Sequence, residues 1–324
     1  MSPIALDAMG GDRAPAETVA GAVLAAADGV DVVLVGDQAI LKREMAELEA
    51  DLPIVHASES IEMGADPTRA LRQKPDSSIS IAARLVRDGD AGAFVSAGST
   101  GAAMAAAAIL VGRAPGVLRP TIASIIPTPG TPTLILDAGA NLEVKPKHLI
   151  QFAVMGAVAA EVFFGMEAPR VGLVNNGEEP GKGRSVEKEA HRLLASAPVN
   201  FIGNVEGRDI GADKADVFIT DGFVGNIMLK SIEGVAAMVL SMTLEALEPL
   251  EESVRTAATE ALEPLRRTLD YEHTGGAYLL GVGGVVVIAH GASSRIAVAN
   301  ALRQAHDGVK RNLVTRMTAR LAQT

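Results

Sequence analysis

The segment Asp216-Val-Phe-Ile-Thr-Asp221-Gly-Phe-Val-Gly-Asn226-Ile-Met-Leu-Lys230 holds a strand, a polar turn and the start of a helix. Val217, Phe218 and Ile219 form a short apolar run with β-branched members, bounded by polar residues, as a buried strand requires. Asp221, Gly222, Gly225 and Asn226 stand where that strand ends. From Ile227 onward, Ile227, Leu229, Ile232, Val235, Ala236 and Val239 fall at helical spacing. In open α/β sheets a ligand sits beyond the carboxyl ends of the strands. An acid (Asp221), an amide (Asn226) and a cation (Lys230) are therefore gathered where a small ligand binds. The same residues also read as a plain strand–helix connection with Asp221 as the N-cap.

The pattern recurs along the chain. Strand-like runs lead into Asp7-Ala-Met-Gly10-Gly11-Asp12, Ser96-Ala-Gly98-Ser99-Thr100-Gly101, Asp137-Ala-Gly139-Ala-Asn141, Asn175-Asn176-Gly177-Glu178 and His290-Gly291-Ala-Ser293-Ser294. One such end is ordinary turn chemistry. Six of them converging on one sheet edge make a polar ligand cleft, and that convergence is the expectation. Strands alternating with helices predict an α/β fold of three layers around a mainly parallel sheet.

With 324 residues the chain can bury a large core and supports two subdomains. Its 48% hydrophobic content argues against disorder. The absence of cysteine excludes disulfides, thiolate nucleophiles and Cys-ligated metals. The net charge of −10 disfavours nucleic acid as a partner. The chain begins with a strand pattern, so no signal peptide is visible, and no run of about 18 uncharged apolar residues appears.

The subdomain change is placed near residue 120. One discontinuous subdomain takes 1–120 and 270–324; the second takes 121–269. Residues 61–74 read as a charged loop able to act as a lid, and 201–209 as another connection. Residues 175–184 form a Gly- and charge-rich loop whose Lys182 and Arg184 can meet an anion. It fails the P-loop spacing, and no Gly-x-Gly-x-x-Gly opens any predicted helix. Residues 227–269 read as two helices turning near Pro249, with Pro264 expected to break or kink the second. The helix from Ser294 onward, with Arg303, Lys310 and Arg311, is the most basic stretch and a candidate docking face for an acidic partner.

Taken together, Asp7-Ala-Met-Gly-Gly-Asp12, Ser96-Ala-Gly-Ser-Thr-Gly-Ala102, Asp137-Ala-Gly-Ala-Asn141, Gly203-Asn-Val-Glu-Gly-Arg-Asp209, Thr220-Asp-Gly-Phe-Val-Gly-Asn226 and Ala289-His-Gly-Ala-Ser-Ser294 resemble the PlsX family of phosphate acyltransferases of bacterial phospholipid synthesis. The likeness runs in order almost end to end. It implies an isocitrate/isopropylmalate-dehydrogenase-like fold with a projecting helical hairpin. The implied reaction is transfer of an acyl group from acyl-carrier protein to inorganic phosphate, with the acyl phosphate passed to a glycerol-3-phosphate acyltransferase. The resemblance also implies a homodimer, a cytoplasmic location, weak peripheral membrane contact, and neither metal nor cofactor. Three places depart from the family pattern: Ser99 replaces Asn, Asn176 and Glu178 replace Val and Thr, and His273-Thr274 replaces Asn-Tyr.

In that chemistry phosphate is its own nucleophile. The protein must hold a dianion near a thioester, stabilise the tetrahedral oxyanion and release a thiolate. Helix N-termini suit phosphate, which points to Gly98, Ser99, Thr100, Ser293 and Ser294. His290 is the candidate for handling a proton. Lys182, Lys230 and Asn226 complete the catalytic set. Asp7, Asp137, Asn141, Asn175 and Asp221 are expected to orient neighbours or cap amides. Three competing readings are an acyl-CoA phosphotransacetylase, a metal- and NAD-dependent dehydrogenase, and a non-catalytic membrane-associated assembly protein.

Overall fold

Runs of Val, Ile and Leu bounded by Gly, Asp and Asn form the strands, and their connectivity assembles a single sheet. The computed structural model describes residues 2–128, 130–269 and 275–323. The strands are β1 (Ile4–Asp7), β2 (Val32–Gly36), β3 (Ile54–His56), β4 (Ala93–Ser96), β5 (Thr121–Ile126), β6 (Thr133–Leu136), β7 (Arg170–Val174), β8 (Asn200–Val205), β9 (Val217–Ile219), β10 (Gly276–Leu280) and β11 (Val285–Ala289). They lie side by side in the order β3-β2-β1-β4-β11-β10-β5-β6-β9-β7-β8. Seven pairings are parallel and three antiparallel, so the sheet is mainly parallel. Strands from 1–120 and from 276–289 fill one half, and those from 121–219 fill the other. The proposed boundary at residue 270 and the His273-Thr274 departure lie outside the described residues.

The antiparallel pairings are β11–β10, β10–β5 and β5–β6. Three successive reversals leave β6, β7 and β9 running opposite to β1, β4 and β11. The carboxyl ends of these two sets consequently face opposite edges of the sheet. The expected convergence of all six strand ends on one edge is replaced by two groups of three. No local pattern along the chain reveals this, because the reversal depends on where β10 inserts.

The helices are α1 (Ala16–Ala27), α2 (Gln38–Glu47), α3 (Pro67–Gln73), α4 (Ser78–Asp88), α5 (Thr100–Ala106), α6 (Pro146–Phe164), α7 (Ser185–Leu194), α8 (Gly222–Leu247), α9 (Glu252–Leu269), α10 (Arg295–Lys310) and α11 (Leu313–Leu321). A π turn, Ala107–Val111, extends α5. One large apolar cluster packs α1, α6 and α10 on one face of the sheet. A second packs α4 and α5 on the other: Ala102, Ala103 and Ala106 belong to it with Ile122 and Ala138, and Leu229 of α8 packs against it. Both α5 and α8 thus cover the same face.

Several local expectations change. Residues 67–73 are a helix, because Asp66 accepts the Arg69 amide at 2.8 Å and Pro67 stands in the first turn. Residues 200–205 are an edge strand whose apolar alternation is broken by Gly203. Pro264 does not end α9; that helix has no buried residue, so the carbonyl it frees meets solvent. Helix α8 begins at Gly222, five residues before the apolar spacing shows it, because Asp221 caps it.

By length and composition two helices are able to cross a membrane, although neither is an uncharged run. Helix α6 is mostly buried here and serves as a core helix, whereas the corresponding stretch of α8 is not buried at all. Helices α8 and α9 pack on each other and leave Phe223, Ile227, Val235, Met238, Val239 and Met242 more than half or about half exposed.

Candidate active site

At the first sheet edge three strand ends are tied together. Asp7, at the end of β1, is 2% exposed. Its Oδ2 accepts the Ser96 hydroxyl at 2.7 Å, and the Ser96 Oγ accepts the Gly98 amide at 3.0 Å. A side chain at Gly10 would put its Cβ 2.4 Å from Asp7 Oδ2 and 3.0 Å from the Gly98 nitrogen, so only glycine admits this approach. Burial pushes the Asp7 carboxyl above its ordinary value, against the lowering effect of the Ser78 and Ser96 hydroxyls. The Asp12 amide donates to the Gly291 carbonyl at 2.8 Å, joining the first turn to the turn after β11.

Two helices start beside this knot. Ser99 stands at the N-cap of α5 and Ser294 at the N-cap of α10, and neither side chain caps its helix. Among the described residues, the buried hydroxyls of Ser293 and Ser294 have no hydrogen-bond partner. His290 is exposed, and its Nδ1 accepts the Ala292 amide at 3.3 Å, holding the ring against its own turn. The structure therefore brings Asp7, Gly98, Ser99, Thr100, His290, Ser293 and Ser294 to one edge.

Asp137, Asn141, Asn175, Lys182, Asp221, Asn226 and Lys230 belong to the other edge. Asp137 is fully buried. Its Oδ1 accepts the amides of Ile122 (3.0 Å), Gly139 (3.2 Å) and Ala140 (3.0 Å). Its Oδ2 accepts the Asn141 amide at 2.6 Å and Asn141 Nδ2 at 2.8 Å. Burial pushes its pKa up. Five donors and no acceptor nonetheless hold it as the carboxylate, since a protonated oxygen would turn a donor toward a donor. Asp137 thus shapes the 138–141 turn, and Asn226 Nδ2 donates to the Ala138 carbonyl at 3.2 Å.

Asp221 caps α8 by accepting the Val224 amide at 2.8 Å, and its other oxygen pairs with Arg184. Arg184 also pairs with Glu187, and these hydrogen bonds raise its already high pKa. Asp221 and Glu187 are buried at 3% and 7% exposure, so one guanidinium satisfies two carboxylates. The Arg184-x-x-Glu187 spacing was the available signal for this clamp. It holds one end of the 175–184 loop, and Asn204 Nδ2 bonded to the Glu179 carbonyl (2.8 Å) holds its middle. Asn175 Nδ2 donates to the Lys182 carbonyl at 3.2 Å, and the Lys182 ammonium lies 3.8 Å from Glu179. Lys230 is exposed, one helical turn beyond Asn226. A pocket of about 310 Å³ is lined by Gly139, Leu142, Gly222, Phe223, Asn226 and Ile227.

The basic C-terminal helix is mostly engaged within the protein. Arg295 pairs with Glu17, Arg303 with Asp28, and Arg316 and Arg320 with Glu161. Arg311 donates to the Val162 carbonyl at 2.5 Å. That leaves Lys310 as a weak basis for docking an acidic partner there. Among the described residues, no group of three or more His, Asp or Glu side chains is placed to hold a metal ion.

This sheet, with its inserted antiparallel strands, defines a dehydrogenase-like α/β architecture. EutD phosphotransacetylase from Staphylococcus aureus superposes with a TM-score of 0.60 at 17% identity, covering 95% of this chain and 94% of that one. A branched-chain phosphotransacylase from Enterococcus faecalis V583 gives 0.60 at 16%, with 95% and 99% covered. A 4-hydroxythreonine-4-phosphate dehydrogenase from Klebsiella pneumoniae gives 0.52 at 14%, with 95% and 98% covered. Residues 3–316 match the family described as fatty acid synthesis protein. A phosphate acyltransferase from Pelotomaculum thermopropionicum is 48% identical over 316 residues, 96% of this chain and 92% of that one. One from Desulforamulus reducens is 47% identical over 318 residues, with 97% and 96% covered. The chain belongs to this fatty acid synthesis family of phosphate acyltransferases.

Proposed function

We propose that the enzyme moves a long-chain fatty acyl group from acyl-carrier protein to inorganic phosphate, forming an acyl phosphate for phosphatidic acid synthesis. The observation that carries the phosphate site is the pair of buried, unpartnered hydroxyls of Ser293 and Ser294 at the N-terminus of the 16-residue α10. Buried polar groups are normally satisfied, and a helix N-terminus favours an anion. The Gly98-Ser99-Thr100 turn at the start of α5 supplies further donors beside it. A phosphate oxygen attacks the thioester carbonyl, the C–O bond forms, the tetrahedral oxyanion collapses and the C–S bond breaks. The proton of hydrogen phosphate ends on the departing thiol, and His290 is the group to carry it.

Asn226, Lys230 and Lys182 act on the thioester. Asp7, Asp137, Asn141, Asn175 and Asp221 orient the turns. The exposed apolar surface of α8 and α9 serves homodimer formation and weak peripheral contact with a membrane from the cytoplasmic side. A glycerol-3-phosphate acyltransferase consumes the product, and the attack of phosphate on a thioester needs neither metal nor cofactor.

Hydroxylamine trapping tests the reaction. Purified protein is given palmitoyl-carrier protein or palmitoyl-CoA, with and without phosphate. Phosphate-dependent hydroxamate from the carrier ester supports the reading; preference for short-chain CoA esters supports a phosphotransacetylase instead. No product from either ester, with folded protein, overturns it.

A further inference from the structure

Most arginines in this acidic protein sit beside a carboxylate, as the pairs around α10 and α11 show. The surface formed by residues 113–120 and 139–151 departs from that habit. Residues 113–120 carry Arg113 and Arg119 and no acid, and residues 139–151 carry Lys145 and Lys147 with Glu143 as their one acid. The four cations are exposed, and none forms an ion pair among the described residues. The fold sets the two segments side by side. Gln151 accepts the Leu118 amide and donates to the Gly116 carbonyl, both at 2.8 Å. Asn141 Nδ2 reaches the Pro120 carbonyl at 2.8 Å. After burial, the charges of Arg119 and Lys145 are what depress the pKa of His148, which places both cations in its field.

This patch adjoins the pocket that holds Asn226. Leu142 lines that pocket and is 68% exposed. Lys145 follows it by three residues, a span of at most ~11 Å. Leu118, 44% exposed, supplies a second apolar contact amid the cations. An apolar centre with a charged rim is the composition of a transient docking surface. An acidic partner is repelled by the protein as a whole and needs a local positive field to orient its approach.

Resting on the function proposed above, we infer that Arg113, Arg119, Lys145 and Lys147 form the docking surface for the acidic acyl-carrier protein, delivering its thioester to the pocket at Leu142 and Asn226. The surface fits a small, negatively charged helical protein: the cations meet its carboxylates while Leu118 and Leu142 meet its apolar side chains.

The test is the double variant Arg119→Glu/Lys147→Glu, two side chains that make no hydrogen bond among the described residues, assayed by hydroxamate trapping. Its KM for palmitoyl-carrier protein is expected to rise about tenfold with kcat little changed, and the wild-type KM to rise with ionic strength. Palmitoyl-pantetheine, which offers the thioester without protein or phosphate charge, is expected to react equally well with both proteins. Lys310→Glu, at the far end of α10, is expected to leave the carrier KM unmoved. In wild type, adding apo-carrier protein is expected to raise the His148 pKa followed by NMR, as carboxylates approach the patch. An unmoved carrier KM overturns the docking surface, as does an equal loss with palmitoyl-pantetheine. Loss of binding to anionic vesicles with an unmoved carrier KM overturns it in favour of lipid. If wild type makes no acyl phosphate from any thioester, the functional reading fails, an outcome distinct from these.

Discussion

Asp137→Asn is the substitution that most directly probes how the second sheet edge is held. The native carboxylate accepts five N–H donors, three at Oδ1 and two at Oδ2. An asparagine keeps one acceptor oxygen and turns an NH₂ toward the rest. In its cheaper orientation the oxygen retains the Ile122, Gly139 and Ala140 amides, and the NH₂ faces the Asn141 amide and side chain. Two buried donors then lose their acceptor, at roughly 1–3 kcal/mol each, or about 2–6 kcal/mol in all. The reversed orientation orphans three amides and costs more. For a chain of 324 residues, with an unfolding entropy of ~2.1 cal/mol/K per residue, that lowers Tm by about 3–9 °C. Thermal unfolding followed by circular dichroism measures it. A shift below about 1 °C would show that the carboxylate does not hold the 138–141 turn.

Ser293→Ala removes a hydroxyl that has no partner among the described residues, so Tm should stay constant or rise slightly. If phosphate binds there, the KM for phosphate in the trapping assay should rise about tenfold, a charge-assisted hydrogen bond being worth ~1.5–3 kcal/mol; an unchanged KM removes Ser293 from the site. Gly225→Ala would place a Cβ 1.9 Å from the Asp137 carbonyl oxygen, and a denaturant midpoint should report at least ~1–3 kcal/mol of destabilisation. His148 is held below its ordinary pKa of 6.5, chiefly by burial and then by Arg119 and Lys145, and its Nδ1 accepts the Lys145 amide at 3.2 Å. The unfolded chain therefore binds a proton that the folded one resists, so stability contributed above pH 6.5 is lost as pH falls toward the folded pKa. Wild type should lose more stability between pH 7.5 and pH 5 than His148→Gln; equal losses would discard the argument.

Much of the first sheet edge is legible along the chain, because its parts are local. The Asp7, Ser96 and His290 turns each follow an apolar β-branched run, and each keeps glycine where backbones press together, as Gly10 does against Asp7 and Gly98. Asp221 is legible as an N-cap for the same reason: it lies at the polar junction of a strand and a helix. Helix α3 was hidden because its short charged sequence has no apolar period, and only Asp66-Pro67 marks its start. Strand β10 was hidden because its neighbours β5 and β11 are remote in the chain or reached through a Gly-rich turn.

The amino-acid sequence by itself determines the strands, turns and helix starts, since hydrophobic period, glycine and capping residues act within a few positions. It also carries the ordered series of strand-end motifs that marks the family. Tertiary structure alone decides which of those ends share an edge, because three antiparallel pairings around β10 and β5 reverse the sense of half the sheet. It alone decides that Arg184 serves both Asp221 and Glu187. It likewise separates paired cations from unpaired ones: Arg295 and Arg303 of α10 pair with Glu17 and Asp28, while Arg119 and Lys147 stand on neighbouring segments and form no ion pair among the described residues. Pairing of charges depends on distances through space, and those distances exist only once the sheet has closed its register.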